Sequence, residues 1–255
     1  MAKREIPEIN AGSMADIAFL LLIFFLVTTT MDKDQAYLRD IPKRIEVPID
    51  VKVEVEKRNI FAIRANSNND LMVRAELMQN PDDISDRVIE FYTKNEIKND
   101  PTNDFPMYSR ISMKEIEDNL RAAEAEAEAV ENTPNAMQDI IDFKYRQVDE
   151  WANKRNALKL LGKPVLPEIH FQAHIRIEVQ QATEYKLFAK IQSELEEAIY
   201  ELRDKAAQDI FGESYGVIKR RYDVDKKLDA KRDKEKLDLL SILYPTKFIE
   251  VTPKK

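Results

Sequence analysis

The most distinctive group in the sequence is a single carboxylate within an otherwise uncharged, largely apolar run. From Ile9 to Met31, Asp16 is the only charged side chain. Hydrocarbon favours the neutral form of a carboxylic acid, so such a group can take up a proton on one side of a barrier and release it on the other. Ionisable groups in membrane helices usually face a protein interior, often along a proton path. Asp16 is therefore the first candidate for chemistry.

The same carboxylate has a second interpretation, as an interface residue of a plain membrane anchor. Residues 9–31 would extend about 34 Å as an α-helix, long enough to span a bilayer. Asp16 lies near the N-terminal end of this run, where it could sit close to the headgroups. A cleaved signal peptide is disfavoured, because the residues after the run offer no small-residue cleavage site. No basic side chain shares the run, so any counter-charge must come from another chain.

Composition limits the remaining function classes. The chain has 255 residues, 34% of them charged, so most of it must lie in water. Its formal net charge of −7 argues against a sequence-independent nucleic-acid binder, which needs a basic face. The chain has only four glycines and no glycine-rich phosphate-binding motif, so we do not expect a nucleotide cofactor. There is no cysteine, and no arrangement of residues suggests nucleophilic catalysis, so an enzyme is not predicted.

The only two histidines are His170 and His174, within a segment that alternates apolar and polar residues. Alternation predicts a strand, and the even spacing would place both rings on one face. A metal site would need further ligands, and the sequence marks none. We therefore expect a surface or sheet-face role for both and no metal.

The N-terminal residues carry a family resemblance. Glu8, Ile9 and Asn10, followed by Asp16 and then by a run rich in Leu, Ile and Phe, resemble the N-terminal signature of the ExbD/TolR family. Ser13 stands where family members often have proline, and serine can cap a helix. Weaker similarities to family elements occur at residues 57–61 with 69–73 (first hairpin), 83–91 (following helix), 182–186 (strand-to-helix junction) and 243–253 (last strand).

The resemblance implies an ExbD-like subunit of a proton-motive-force-driven motor in a bacterial inner membrane. It would place Asp16 as the proton-carrying carboxylate, with Glu8, Ile9 and Asn10 contacting a partner on the cytoplasmic side. The implied partners are an ExbB-like polytopic membrane protein around the helix, a TonB-like energy transducer and a second copy of the chain. A TolR-like or other stator subunit, and a membrane-anchored periplasmic scaffold without a proton role, are the alternatives.

The predicted organisation has four parts. They are a cytoplasmic tail (1–12), a transmembrane helix (13–31), a periplasmic linker (32–48) and a periplasmic α+β domain (49–255) with a helical insertion at about 98–168. Basic residues flank the membrane run on both sides, so the charge rule leaves its orientation open. The resemblance implies a cytoplasmic N-terminus and a periplasmic C-terminal domain.

Within the C-terminal domain, apolar spacing and turn chemistry predict a small sheet with helices on one side and an inserted helical hairpin. Predicted strands cover 47–55, 59–65, 71–74, 169–179 and 248–251. Helices are predicted to begin at Asp82 or Asp83, at a Ser112–Glu115 capping box, and at about 135 and 184, the last two ending near 161 and 211. A further solvated helix is expected over the charged residues 219–236.

Overall fold

The computed structural model describes residues 17–24, 55–134, 136–224 and 230–251. The chain divides into two units, Met1–Pro48 and Ile49–Lys255. In the first unit, residues 17–24 are helical and their side chains are exposed. None of the helices in the described ranges is long and apolar enough to cross a membrane. The predicted linker at 32–48 and the predicted strand at 47–55, except Val55, lie outside the described residues.

The second unit is a mixed α/β structure built on a five-stranded sheet of order β3-β2-β1-β6-β7. Its strands are β1 (Ile60–Ala65), β2 (Leu71–Val73), β3 (Glu76–Met78), β6 (His174–Val179) and β7 (Phe248–Glu250). The first three run antiparallel as consecutive hairpins, whereas β6 lies parallel to both β1 and β7. A separate antiparallel pair is formed by β4 (Tyr108–Ser112) and β5 (Val165–Ile169).

Six α-helices and two short 3-10 helices, Lys57–Asn59 and Pro81–Asp83, complete the part of the second unit that the structure describes. The α-helices are α1 (Ile84–Thr93), α2 (Met113–Glu131), α3 (Gln138–Leu161), α4 (Tyr185–Phe211), α5 (Tyr215–Val224) and α6 (Ala230–Leu243). Helix α1 packs against α4, and α2 packs along α3 as a helical hairpin. Helix α6 contacts both α3 and α5, which ties the hairpin to the C-terminal helices. The predicted hairpin of helices is therefore confirmed.

The core lies against one face of the main sheet. In β1, Phe61, Ile63 and Ala65 are buried, whereas Arg64 is exposed. In β6, Ile175 and Ile177 are buried in the same manner. Helices α1 and α4 supply apolar side chains to this core, and the rings of Phe61 and Phe91 meet edge-on at 5.3 Å. Each large apolar side chain that is fully buried contributes about 1.5–3 kcal/mol. The opposite face of the sheet carries charged side chains, which include Arg64, Arg176 and Glu178.

Local signals placed several elements correctly. The β1–β2 hairpin, α1 and α4 occur where they were predicted, and Gly162 ends α3 with a left-handed φ of 66°. Ser112 forms the predicted capping box with Glu115, in which the Ser112 backbone N–H donates to Glu115 Oε2 at 2.7 Å. Strands β3 and β4 were not predicted, and neither was β5 before Ile169; β3 has only three residues.

The predicted strand over 169–179 is confirmed only in its C-terminal part, which is β6, and is wrong over residues 170–173. Strand β5 ends at Ile169 and β6 begins at His174, and the two belong to different sheets. The chain turns at Phe171 and Gln172. Phe171 is 71% exposed, although the alternation predicted that its side chain lies on the same buried face as those of Ile169 and Ala173. Alternation continues across the turn without a glycine or proline, so the pattern could not reveal the break.

The prediction of a solvated helix over 219–236 is confirmed only in part, because the described residues of this run are helical but not all of their charged side chains are exposed. Two helices, α5 and α6, cover the described part of this run, and Asp233 and Lys236 are buried. Asp233 accepts two N–H groups of Arg221 at 2.6 Å each, and Lys236 Nζ donates to Glu213 Oε1 at 2.9 Å. Arg221 also donates to Glu213 at 2.9 Å. These four residues form an ionic cluster that fixes α5 on α6 and on the end of α4.

Candidate partner-binding site

The predicted proton-carrying residue Asp16 and the predicted partner-binding residues Glu8, Ile9 and Asn10 all lie outside the described residues. The residues that directly follow Asp16, 17–24, are helical. The roles assigned to these four side chains from the sequence therefore stay predictions. The C-terminal unit offers the geometry that can be described.

The two histidines are not on one strand. His170 lies in the turn after β5, with its ring 4.8 Å from that of Phe171, whereas His174 begins β6. The nearest polar partner of the His174 ring is the carbonyl of Gln172, 2.7 Å from Nδ1. Within the described ranges, no group of three or more His, Cys, Asp and Glu side chains could hold a metal ion.

The tightest turn of the main sheet uses two unusual residues. Val73 pairs with Glu76, so β2 and β3 are joined by the two-residue loop Arg74-Ala75. Both residues have a positive φ, 49° and 72°, as in the turns that normally select Asn-Gly. The left-handed conformation costs a residue with a Cβ roughly 1–2 kcal/mol. Contacts elsewhere must offset this strain.

The side chain of Arg74 supplies such contacts. Its guanidinium lies 4.5 Å from the centre of the Phe105 ring and donates a hydrogen bond to the carbonyl of Asp104. Partial burial lowers the pKa of Arg74, and the neighbouring carboxylates oppose this change. The loop that contains Phe105 thereby holds the strained turn in place.

A cavity of about 650 Å³ opens beside this turn, and we call it the turn pocket. Its charged lining consists of Arg74, Arg87, Glu76, Asp83, Glu90 and Asp104, and its apolar lining of Phe61, Val73, Leu77, Met78 and Phe105. Arg87 and Glu76 form an ion pair of 3.1 Å across its rim. Among its described lining residues there is no serine, cysteine, histidine or lysine. The charged side chains suit the pocket to ion pairing and hydrogen bonding.

Strand β3 forms one edge of the main sheet beside the turn pocket. An edge strand presents unpaired backbone N–H and C=O groups, to which an extended segment of another chain can add. Leu77 of β3 is 67% exposed next to this edge. The turn pocket and the β3 edge together provide charges, an apolar contact and backbone groups, which suits a polypeptide partner. The sequence carries no sign of this site, because Arg-Ala is not a recognisable turn signal.

Hydrogen bonds of three buried tyrosines hold the segment after α6, at Tyr244 and Pro245, against α1. Tyr92 Oη donates to the Pro245 carbonyl at 2.6 Å, and Tyr244 Oη donates to Glu96 Oε1 at 2.9 Å. Tyr108 Oη donates to the Tyr92 carbonyl at 2.6 Å. Burial raises the pKa of all three hydroxyls, so they stay neutral donors. Their arrangement is structural.

Comparison with known proteins gives one match. The sequence model of the family described as "Biopolymer transport protein ExbD/TolR" matches residues 2–203. The matched range contains all four predicted site residues, the turn pocket and the α2–α3 hairpin, and it ends within α4. No curated protein matches the chain, and no solved structure does.

Proposed function

The chain belongs to the ExbD/TolR family of biopolymer transport proteins, and on this premise we propose that it is an ExbD-like subunit of a proton-motive-force-driven inner-membrane motor. The motor would energise TonB-dependent transport across the outer membrane. The observation that carries the proposal is the family match from residue 2 onward, since this range includes the apolar run with its single carboxylate, Asp16. Family members are non-enzymatic transport components, and they typically are anchored in the inner membrane.

Asp16 is the residue on which the proposed mechanism depends. Protonation neutralises its charge and permits the helix to move past apolar surroundings, and deprotonation restores the charge. The apolar run offers no basic partner, so the counter-group belongs to an ExbB-like polytopic protein that surrounds this helix. Alternate loading and release of the proton would then bias movement between partner helices. Glu8, Ile9 and Asn10 would contact the cytoplasmic side of that partner.

The C-terminal unit would lie in the periplasm, form a dimer and contact the energy transducer. The turn pocket and the β3 edge support such a contact, because they combine Arg74 and Arg87 with carboxylates and an open backbone edge. A TonB-like protein is the transducer we propose. The description of the family names TolR as well as ExbD, so a TolR-like subunit that acts with a TolA-like transducer is the second candidate.

Purification of the full-length chain from membranes tests the assignment of partners. An ExbB-like polytopic protein together with a TonB-like protein should copurify with the chain. Capture of a TolA-like protein in place of the TonB-like one would assign the TolR-type role and contradict the ExbD-type role. Recovery of the chain without any polytopic partner would favour the membrane-anchored scaffold and overturn the motor.

A further inference from the structure

The distal part of the α2–α3 hairpin, residues 122–134 and 136–150, is a separate feature that we call the acidic arm. Ala123 and Ala127 of α2 are buried at the contact with α3. Between Gln138 and Glu150, however, α3 buries no side chain fully, whereas further on it buries Lys154, Ala157 and Leu158. The distal part of the hairpin therefore gains little burial from the rest of the described structure, and its outer faces are open.

The charge of the acidic arm is strongly one-sided. It contains eight carboxylates and only two basic side chains, Lys144 and Arg146. Lys144 pairs with Glu126 at 2.6 Å. Exposed carboxylates such as Glu124, Glu128 and Asp139 form no ion pair within the described residues. Like charges held close together repel each other, so a partner of opposite charge would stabilise the arm.

The acidic arm also exposes apolar surface at its tip. Met137 is 66% exposed, Tyr145 41% and Ile140 38%. Apolar side chains among unpaired charges are typical of a surface that contacts another protein. The partner should therefore be basic and should carry exposed apolar side chains of its own.

One region of this chain has those properties, and we call it the basic shoulder. It consists of the exposed side chains Lys219 and Arg220 of α5 and Lys231, Arg232 and Lys234 of α6. None of these five forms an ion pair within the described residues. Val217 and Val224 of α5 are 50% and 80% exposed between them. The ionic cluster holds α5 on α6, so the shoulder presents its charges on a fixed frame.

We propose that two copies of the chain pair by placing the acidic arm of each on the basic shoulder of the other. Each copy carries both surfaces, so a two-fold axis produces two identical contacts and a closed dimer. Helix α3, with 24 residues, is about 36 Å long, and its first half, which belongs to the arm, buries no side chain fully. The proposal names the surface of the self-association included in the proposed function. It does not depend on a proton role for Asp16.

Introduced thiols provide the first test, because the natural chain has no cysteine. Full-length Glu128→Cys and Lys231→Cys chains are co-expressed, and membranes are treated with an oxidant. The arm–shoulder pair should give a disulfide-linked dimer, whereas the control pair Glu196→Cys and Lys231→Cys, in which Glu196 is exposed on α4, should not. Equal linkage in both pairs, or none in the arm–shoulder pair, overturns the proposal.

Charge reversal provides the second test, with the same thiol pair as the readout. Glu124→Lys with Asp139→Lys in the arm should lower the yield of linked dimer several-fold, as should Arg220→Glu with Arg232→Glu in the shoulder. Combining both reversals should restore the yield. The matched reversal Glu196→Lys with Glu197→Lys on α4 should leave it unchanged. Failure of the combined variant to restore linkage would overturn the proposal.

Two further readouts separate this proposal from a loss of folding and from the proposed proton role of Asp16. Trp151 is the only tryptophan and lies on α3, so its emission reports whether each variant is folded. Linkage between arm and shoulder should persist in an Asp16→Asn chain. Linkage together with full transport in the Asp16→Asn chain would refute the proton role alone, and transport by the natural chain without linkage would refute the dimer surface alone.

Discussion

Replacement of Asp233 by asparagine should destabilise the C-terminal unit by about 2–3 kcal/mol, since hydrogen bonds to charged groups contribute roughly 1.5–3 kcal/mol each. Asp233 is 1% exposed and receives two N–H groups of Arg221 at 2.6 Å. Asparagine retains one acceptor and loses the charge. Arg221 keeps its hydrogen bond to Glu213 and is partly exposed. The loss of stability should therefore be smaller than for a wholly buried ion pair.

Urea unfolding of the full-length chain, followed by Trp151 emission, measures this loss. Trp151 lies on α3, which packs against α6, and the chain has no other tryptophan. With a typical denaturant dependence of about 2 kcal/mol per molar, the midpoint should fall by roughly 1 M urea. An unchanged midpoint would show that the ionic cluster contributes nothing to stability.

The pH dependence of the destabilisation by Asp233→Asn provides a second, independent test of the same explanation. The hydrogen bonds from Arg221 lower the pKa of Asp233 below its ordinary value. A carboxylate with a lowered pKa contributes stability that is present above the unfolded pKa, about 3.9, and lost as the pH falls through the folded one. The difference in the free energy of unfolding between the natural chain and Asp233→Asn should therefore reach its full size at pH 5 and pH 7. It should become smaller below about pH 4. A difference of constant size would contradict the ionic explanation.

Asp238 on the same helix is the matched control. Burial raises the pKa of Asp238, so its charged form opposes folding near neutral pH. Asp238→Asn should therefore leave the urea midpoint at pH 7 unchanged or raise it. Equal losses for Asp233→Asn and Asp238→Asn would refute the assignment of opposite roles to these two aspartates.

Three other substitutions test the fold. Ala75→Gly should raise the free energy of unfolding by about 0.5–1 kcal/mol, because glycine tolerates the φ of 72°; a lower melting temperature would contradict the strain at this turn. Ser112→Ala should cost about 1 kcal/mol in urea unfolding by removing the capping box of α2, and no change would show that α2 does not need its cap. Leu195→Ala, at a side chain with no exposed surface, should cost about 2–5 kcal/mol; a loss below 1 kcal/mol would place Leu195 outside the core.

The elements that were predicted correctly are those with local signals. Apolar residues at helical spacing identified α1 and α4, and the Ser112–Glu115 pair located the start of α2. The turn at residues 66–70 separated β1 from β2 because Asn and Asp side chains bond to nearby backbone groups. In the structure Asn66 Oδ1 accepts from the Asp70 N–H at 2.9 Å.

The elements that were missed depend on distant partners. The break between β5 and β6 follows from β5 pairing with β4, and the alternation of residues 169–179 contains no sign of it. The burial of Asp233 depends on Arg221, which is brought to it by the packing of α5 on α6. The turn pocket likewise forms when Phe105 packs under Arg74, far from it along the chain. The proposed role of Asp16 rests on a different basis. The apolar run alone left that role open, and the role follows from the resemblance to the family and stays a proposal.

Gradient-driven outer-membrane uptake in cells that carry Asp16→Asn at the normal protein level tests the central claim most directly. Asparagine keeps the size and polarity of the side chain but cannot release a proton. Uptake should fall to the level of cells that lack the chain, while the chain still copurifies with its polytopic partner, and Asp16→Glu should retain part of the activity. Full uptake with Asp16→Asn would contradict a proton-carrying role for this carboxylate.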